Sequence, residues 1–114
     1  MNAVEIEEAI SNLAESPFDA LEFPFLFLSA FGNKETTIKQ LRSGSSNKSD
    51  LGGILQRNNI HLKVCDIGDV TNTLLELRTS PATVKSKAKF ILSTDGVELE
   101  AEDLSTGEVI ACDY

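Results

Sequence analysis

The side chains whose chemistry most clearly suits binding are six bases in the middle of the chain. They lie within residues 34–63, which contain two acids, and serine and asparagine side chains at 43–49 lie among them. Ammonium and guanidinium groups mixed with hydroxyls and amides are typical of surfaces that contact nucleic-acid phosphates. A solvated helix and loop of the same composition is the alternative interpretation. The six bases are Lys34, Lys39, Arg42, Lys48, Arg57 and Lys63.

The two segments that flank the bases are acidic. Residues 1–33 contain six acids and no base, and residues 64–114 contain ten acids and four bases. The net charge of the 114-residue chain is therefore −8, although its middle segment is positive. A uniformly acidic protein repels nucleic acid. The uneven distribution keeps contact with DNA open, and it also permits a different function, an acidic protein-binding domain or DNA mimic that occupies a basic partner.

The two cysteines and the single histidine are too few for a zinc site. Cys65, Cys112 and His61 supply three side chains, whereas zinc takes about four nitrogen or sulfur ligands. We interpret the cysteines as half-buried strand thiols in a reducing cytoplasm. The first residues are acidic where a secretory signal is basic, and the longest apolar run, residues 23–31, is shorter than the roughly 18 residues of a membrane span. The sequence thus predicts a cytoplasmic protein without a membrane partner and leaves its oligomeric state open.

About residues 2–42 have helical patterning. Ile6, Ile10 and Leu13 recur at helical spacing, and most glutamates lie off their stripe. Five of the six phenylalanines fall within residues 18–31 and are expected in the core, because so many exposed rings would favour aggregation. The predicted helices are residues 6–14, a segment that starts at Ser16-Pro17, residues 25–31 between Pro24 and Gly32-Asn33, and residues 34–42.

About residues 50–114 have strand and turn patterning around one helix. Asn58-Asn59 separates two short extended runs and predicts a β-hairpin, since asparagine tolerates the positive φ of a tight turn. Asp69 is a cap for a helix that continues through Arg78, and Pro81 marks its end. The predicted later strands are residues 90–94, 97–101 and 108–112, of which the first two are joined by Asp95-Gly96.

This order of elements indicates a mixed α/β (α+β) fold. A chain of this length suits one domain over residues 1–114. A helical part, about residues 2–42, precedes a sheet core of about residues 50–114. We expect one central mixed sheet, the N-terminal helices packed on it, and one crossover helix.

Two segments of the sequence resemble a known family. Residues 25–42, FLFLSAFGNKETTIKQLR, resemble the opening of the N-terminal nuclease-like domain of bacterial MmeI-like (type IIG/IIL) restriction-modification DNA methyltransferases. Residues 90–110, FILSTDGVELEAEDLSTGEVI, resemble the closing strands of that domain, and the similarity extends over about residues 20–112. The resemblance implies a restriction-endonuclease-like fold, the PD-(D/E)xK core. It also implies that the chain is the N-terminal domain of a longer protein, or a stand-alone relative of that domain.

The resemblance allows the nuclease motif to be compared residue by residue. Such nucleases use an acid on one hairpin strand and a Glu-x-Lys or Asp-x-Lys on the next, so that two carboxylates hold Mg²⁺ and the metal and lysine activate a water. Here Asp50 is the candidate first acid, His61 stands at the second acid position, and Lys63 stands at the lysine position. One carboxylate and an imidazole form a poor Mg²⁺ site. The resemblance therefore implies a degenerate catalytic site, with Mg²⁺ as a cofactor only if that site is active.

We expect a degenerate nuclease-like module that contacts the DNA backbone or packs on a methyltransferase domain and is inactive by itself. The alternatives are an active Mg²⁺-dependent endonuclease and the acidic protein-binding or DNA-mimic domain. The implied parent is a DNA (adenine-N6) methyltransferase, whose fused or associated domain uses S-adenosylmethionine. This chain lacks a Gly-rich nucleotide loop and an Asn/Asp-Pro-Pro-Tyr/Phe stretch, so no cofactor is expected in this domain. The expected DNA contacts are Lys34, Lys39, Arg42, Lys48 and Arg57.

Overall fold

The computed structural model describes residues 2–44 and 46–114, in which three helices are followed by a hairpin, two helices and three strands. The helices are α1 (Ala3–Leu13), α2 (Phe23–Ala30), α3 (Glu35–Ser43), α4 (Val70–Thr79) and α5 (Pro81–Lys85). The strands are β1 (Ile54–Gln56), β2 (Ile60–Val64), β3 (Phe90–Thr94), β4 (Glu98–Asp103) and β5 (Val109–Asp113). This α+β architecture confirms the fold class predicted from the sequence.

The strands of the described residues form one mixed sheet, in which they lie in chain order from β1 to β5. β2 and β3 run parallel, and the other neighbouring pairs are antiparallel. Parallel neighbours require a long crossover, which α4 and α5 form together. The prediction of one crossover helix was therefore wrong in the number of helices, because the crossover contains two. α4 ends just before Pro81, as predicted, but Pro81 also begins α5, because its fixed φ and missing N–H suit a first helical turn.

Helices cover both faces of the sheet. Because side chains along each strand alternate between the two faces, each strand contributes residues to both layers. On one face, Leu62 and Leu92 belong to the main core, which also includes buried residues of α1, α2 and α3. On the other face, Ile91 packs with Leu74 of α4. His61 lies opposite Ile91 across the parallel strands and therefore faces the crossover helices.

The phenylalanine-rich segment lies in the main core, as predicted. Phe23, Phe25 and Phe27 of α2 are buried there. Phe18 and Phe31 are partly buried and pack against the same cluster. Within the described ranges, none of the helices has the length and apolar character that a membrane span requires.

The second helix predicted from Ser16-Pro17 does not form. Instead, the Asp19 carboxylate accepts the backbone N–H groups of Leu21 at 3.0 Å and Glu22 at 3.3 Å, and α2 begins only after this turn. An aspartate side chain that bonds to the nearby backbone stabilises a turn in competition with a helix. The prediction was wrong because cap-type residues stabilise turns as well as helix ends.

The β1–β2 hairpin forms as predicted and depends on two backbone features. Asn58 in its turn has a φ of 62°, in the left-handed region. Gly53, just before β1, lies directly against β2. A Cβ atom at Gly53 would be 2.4 Å from the carbonyl oxygen of Leu62 and 3.0 Å from the Cβ of Lys63. Since a strand oxygen cannot move without shifting the strand, this close approach requires glycine.

Gly53→Ala is expected to lower the free energy of unfolding by about 1–3 kcal/mol, the usual cost of an overpacked position. Urea denaturation followed by circular dichroism measures this change. Ser11→Ala, at an exposed position of α1, is the control and should stay within about 0.5 kcal/mol of the wild type. A Gly53→Ala protein as stable as the wild type would contradict the close approach of this loop to β2.

Candidate functional site

His61 lies at the centre of a buried chain of hydrogen bonds. Its Nε2 is 2.7 Å from the Oγ of Ser49, in the loop before β1, and its Nδ1 is 2.8 Å from the Oγ1 of Thr83, in α5. The Thr83 hydroxyl donates to the carbonyl oxygen of Leu77, in α4, at 2.7 Å. Both His61 and Thr83 are buried. These bonds connect the loop, β2 and both crossover helices.

The hydrogen-bond partners assign the tautomer of His61. The single hydroxyl hydrogen of Thr83 is donated to Leu77, so Oγ1 accepts the Nδ1–H of His61. Nε2 is then the acceptor for the Ser49 hydroxyl, whose oxygen also accepts the Gly53 N–H at 3.1 Å. In the neutral form, both ring nitrogens are therefore hydrogen-bonded. The lone pair of Nε2 and the N–H of Nδ1 are both used, so neither is left for a metal ion or a substrate.

The surroundings of His61 disfavour its charged form. Burial lowers the pKa of His61 below its usual value of 6.5. The Asp50 carboxylate opposes this pKa shift, and the positive charge of Lys63 adds to it. His61 and Lys63 are two residues apart in β2, and Asp50 directly follows Ser49, which is bonded to His61, so the three motif residues lie near one another.

Asp50 is bonded to the first turn of α5. Its carboxylate accepts the hydroxyl of Ser80 at 2.7 Å, and Ser80 is the N-cap residue of α5. This hydrogen bond is the main reason why the pKa of Asp50 is lower than usual. The backbone of Ala82 contributes to the same pKa shift. Asp50 is thus an ionised group at neutral pH that stabilises the start of α5 from the loop before β1.

Lys63 lines a cleft of about 560 Å³ at the carboxyl end of β2. Asp66 and Asp69 line the same cleft, as does the exposed apolar side chain of Leu21. Across residues 2–44 and 46–114, no three His, Cys, Asp or Glu side chains are grouped so as to hold a metal ion. The catalytic role of the three motif residues stays a prediction.

Arg42, one of the five expected DNA contacts, is already bonded within the protein. Its guanidinium donates to both carboxylate oxygens of Glu22, at 2.8 and 2.9 Å, and lies 4.2 Å from the centre of the Phe25 ring. A paired and stacked guanidinium gives up these contacts if it binds a phosphate. An acid of the N-terminal segment is therefore paired with one of the five expected DNA contacts.

The other four expected DNA contacts lie in two places. Lys34 and Lys39 are exposed at the N-cap and in the middle of α3. Lys48 and Arg57 lie together with Lys85 in a cleft of about 490 Å³ beside α5, here called the basic cleft. The structure therefore brings together two of the expected contacts and adds one base that the sequence interpretation did not include.

Lys85 was missed because residues 64–114 are acidic as a whole. A shorter window contains the signal, since residues 77–94 include four bases and no acid. Its proximity to Lys48 and Arg57 depends on the crossover, which returns α5 to the hairpin. Charge counted over long segments hides such local groups.

Cys65 and Cys112 are free, half-buried thiols. Cys112 lies in β5, and Cys65 directly follows β2. Burial raises the pKa of both thiols, so both are protonated at neutral pH. A protonated thiol is a poor nucleophile, which favours packing as the function of these two residues.

These elements define a small α+β domain in which one sheet separates two layers of helices. A comparison with protein families matches the whole chain, residues 1–114, to the family described as MmeI, N-terminal domain. The chain belongs to this family, which confirms the resemblance found over residues 20–112. Membership indicates the N-terminal domain of a restriction-modification protein. Searches of curated proteins and of solved structures found no match.

The buried state of His61 predicts a pH-dependent stability. The unfolded chain binds a proton near pH 6.5 and the folded chain does so only at lower pH, so the unfolding free energy falls as the pH drops below about 6.5, by up to ~1.4 kcal/mol per pH unit. Urea denaturation between about pH 8 and pH 5.5 measures the slope, above the range in which carboxylates of unfolded chains titrate.

His61→Gln is the matched variant for this measurement, because His61 is the only histidine in the chain. It should be less stable than the wild type at every pH and should lack the slope below pH 6.5. A slope of equal size in His61→Gln would assign the pH dependence to other groups.

Proposed function

We propose that this domain belongs to a restriction-modification methyltransferase, that its nuclease site has decayed, and that it contacts the backbone of duplex DNA without cutting it. The observation that supports the loss of cleavage is the state of His61. At the second acid position of the motif stands a buried imidazole with both nitrogens hydrogen-bonded to Ser49 and Thr83. A Mg²⁺ site of this class needs two carboxylates. In this proposal the motif residues stabilise the fold, and methyl transfer from S-adenosylmethionine belongs to another domain.

The distribution of exposed bases supports contact with DNA. The chain as a whole is acidic, with a net charge of −8, but it has a local group of bases. Lys48 and Arg57 have exposed side chains and share the basic cleft with Lys85. Contacts from lysine and arginine to phosphates give affinity without reading the base sequence. Binding is therefore expected to be independent of sequence and sensitive to salt.

Retention of the chain on immobilised duplex DNA tests the binding part of the proposal. If about three phosphates are contacted, the affinity should fall roughly 40-fold between about 50 and about 200 mM salt, because each contact releases condensed counterions. An unrelated duplex of equal length should retain the domain equally. Failure to bind duplex DNA at low salt, or binding that does not depend on salt, would contradict contact through phosphates.

Incubation with supercoiled plasmid tests the loss of cleavage. With Mg²⁺ or Mn²⁺ present, the wild type should leave the plasmid intact, because His61 cannot act as a metal ligand while both nitrogens are bonded. Lys63→Ala is the matched variant and should behave like the wild type. Metal-dependent nicking by the wild type that Lys63→Ala abolishes would instead support the active endonuclease.

A further inference from the structure

The basic cleft contains three bases and no acid among its lining residues. Lys48, Arg57 and Lys85 surround a wall formed by Pro81 and Ala82 of α5. Its volume of about 490 Å³ falls within the usual range for ligand sites, roughly 300–1,000 Å³. Among the residues that the structure describes, the ion pairs of arginine and lysine side chains involve Arg42 and Arg78 and none of these three bases.

The acid closest in sequence to this group is already hydrogen-bonded. Asp50 follows Lys48 by two residues, and its carboxylate accepts the Ser80 hydroxyl at the first turn of α5. Asp50 interacts with the backbone of Ala82 behind the cleft wall but does not line the cleft. Three like charges around one concave surface raise its positive potential and attract anions. An anion with several oxygen atoms relieves this repulsion because it accepts hydrogen bonds from more than one base.

Backbone hydrogen bonds hold the three bases in place. The N–H of Lys48 donates to the carbonyl oxygen of Leu55 in β1 at 3.2 Å. The N–H of Asn58, next to Arg57, donates to the carbonyl oxygen of Ser86, next to Lys85, at 2.8 Å. The hairpin turn is thus bonded directly to the end of α5. Bases presented from a fixed backbone lose less conformational freedom on binding.

We propose that the basic cleft is a binding site for phosphodiester groups of the DNA backbone, with Lys85 as one of its contacts. This inference rests on the proposed function, because family membership favours DNA as the source of the phosphate. It also makes that function more specific. The basic cleft beside α5 is the contact surface. This revises the expectation from the sequence for Lys34 and Lys39, which lie at the other helical layer and are not part of the contact surface.

Fluorescence anisotropy with a labelled duplex of about 20 base pairs tests the inference on the full chain. Lys85→Gln and Arg57→Gln should each weaken binding about three- to tenfold, and each should reduce the slope of log K against log salt by about 0.9. Lys34→Gln and Lys39→Gln are matched controls, since each removes the same charge from an exposed side chain. Both controls should bind within about twofold of the wild type. Circular dichroism confirms that all variants are folded.

Two outcomes overturn the inference while the proposed function stands. In the first, the wild type binds duplex DNA and Lys85→Gln and Arg57→Gln bind equally well. In the second, all four variants weaken binding to the same extent, which would show that net charge, and not the basic cleft, determines affinity.

A titration with inorganic phosphate, followed by amide NMR, separates the inference from the proposed function. Shifts concentrated at Lys48, Arg57, Lys85 and Ser86 are expected. If the wild type does not bind duplex DNA but shows these shifts, the proposed function fails and DNA is the wrong source of the phosphate, and the basic cleft is an anion site for free phosphate or another phosphorylated ligand. If those amides do not respond to phosphate either, the inference is overturned.

Discussion

The complete hydrogen bonding of one buried imidazole constrains the structure on this side of the sheet. A buried polar atom without a partner costs about 1–3 kcal/mol, so Ser49 and Thr83 must both stay within reach of the ring of His61. Because these two residues belong to the loop before β1 and to α5, the same two bonds fix both segments to β2. The bond between Asp50 and Ser80 connects that loop to α5 a second time.

The same connections determine where positive charge accumulates. The loop that contains Ser49 also contains Lys48, and α5, which contains Thr83, ends at Lys85. A buried and uncharged network therefore positions exposed bases around a cleft, in a chain whose net charge is −8. In our proposal, the motif residues of a former nuclease now stabilise the fold. The domain still binds DNA phosphates but no longer cuts phosphodiester bonds.

Local patterns predicted most of the elements. Helical spacing located α1 and α3, the asparagine turn located the β1–β2 hairpin, and the phenylalanine-rich segment is buried as expected. Local patterns failed at Ser16-Pro17, because cap-type residues suit a turn as well as a helix start. They located the end of α4 before Pro81 but not the second helix that begins there. They also failed where contacts span long distances in sequence. The partners of His61 are 12 residues before it and 22 residues after it, and no spacing rule links them. Lys85 lines the same cleft as Arg57 only because the crossover returns α5 to the hairpin.

The most direct test of this account is the protonation state of His61, read from the nitrogen-15 NMR shifts of the only imidazole in the chain. The account predicts a ring that is neutral at neutral pH with its hydrogen on Nδ1, that gains a proton only below its usual pKa of 6.5, and that is unaffected by Mg²⁺. An imidazole that titrates near its usual pKa of 6.5, or whose nitrogen shifts respond to Mg²⁺, would contradict it.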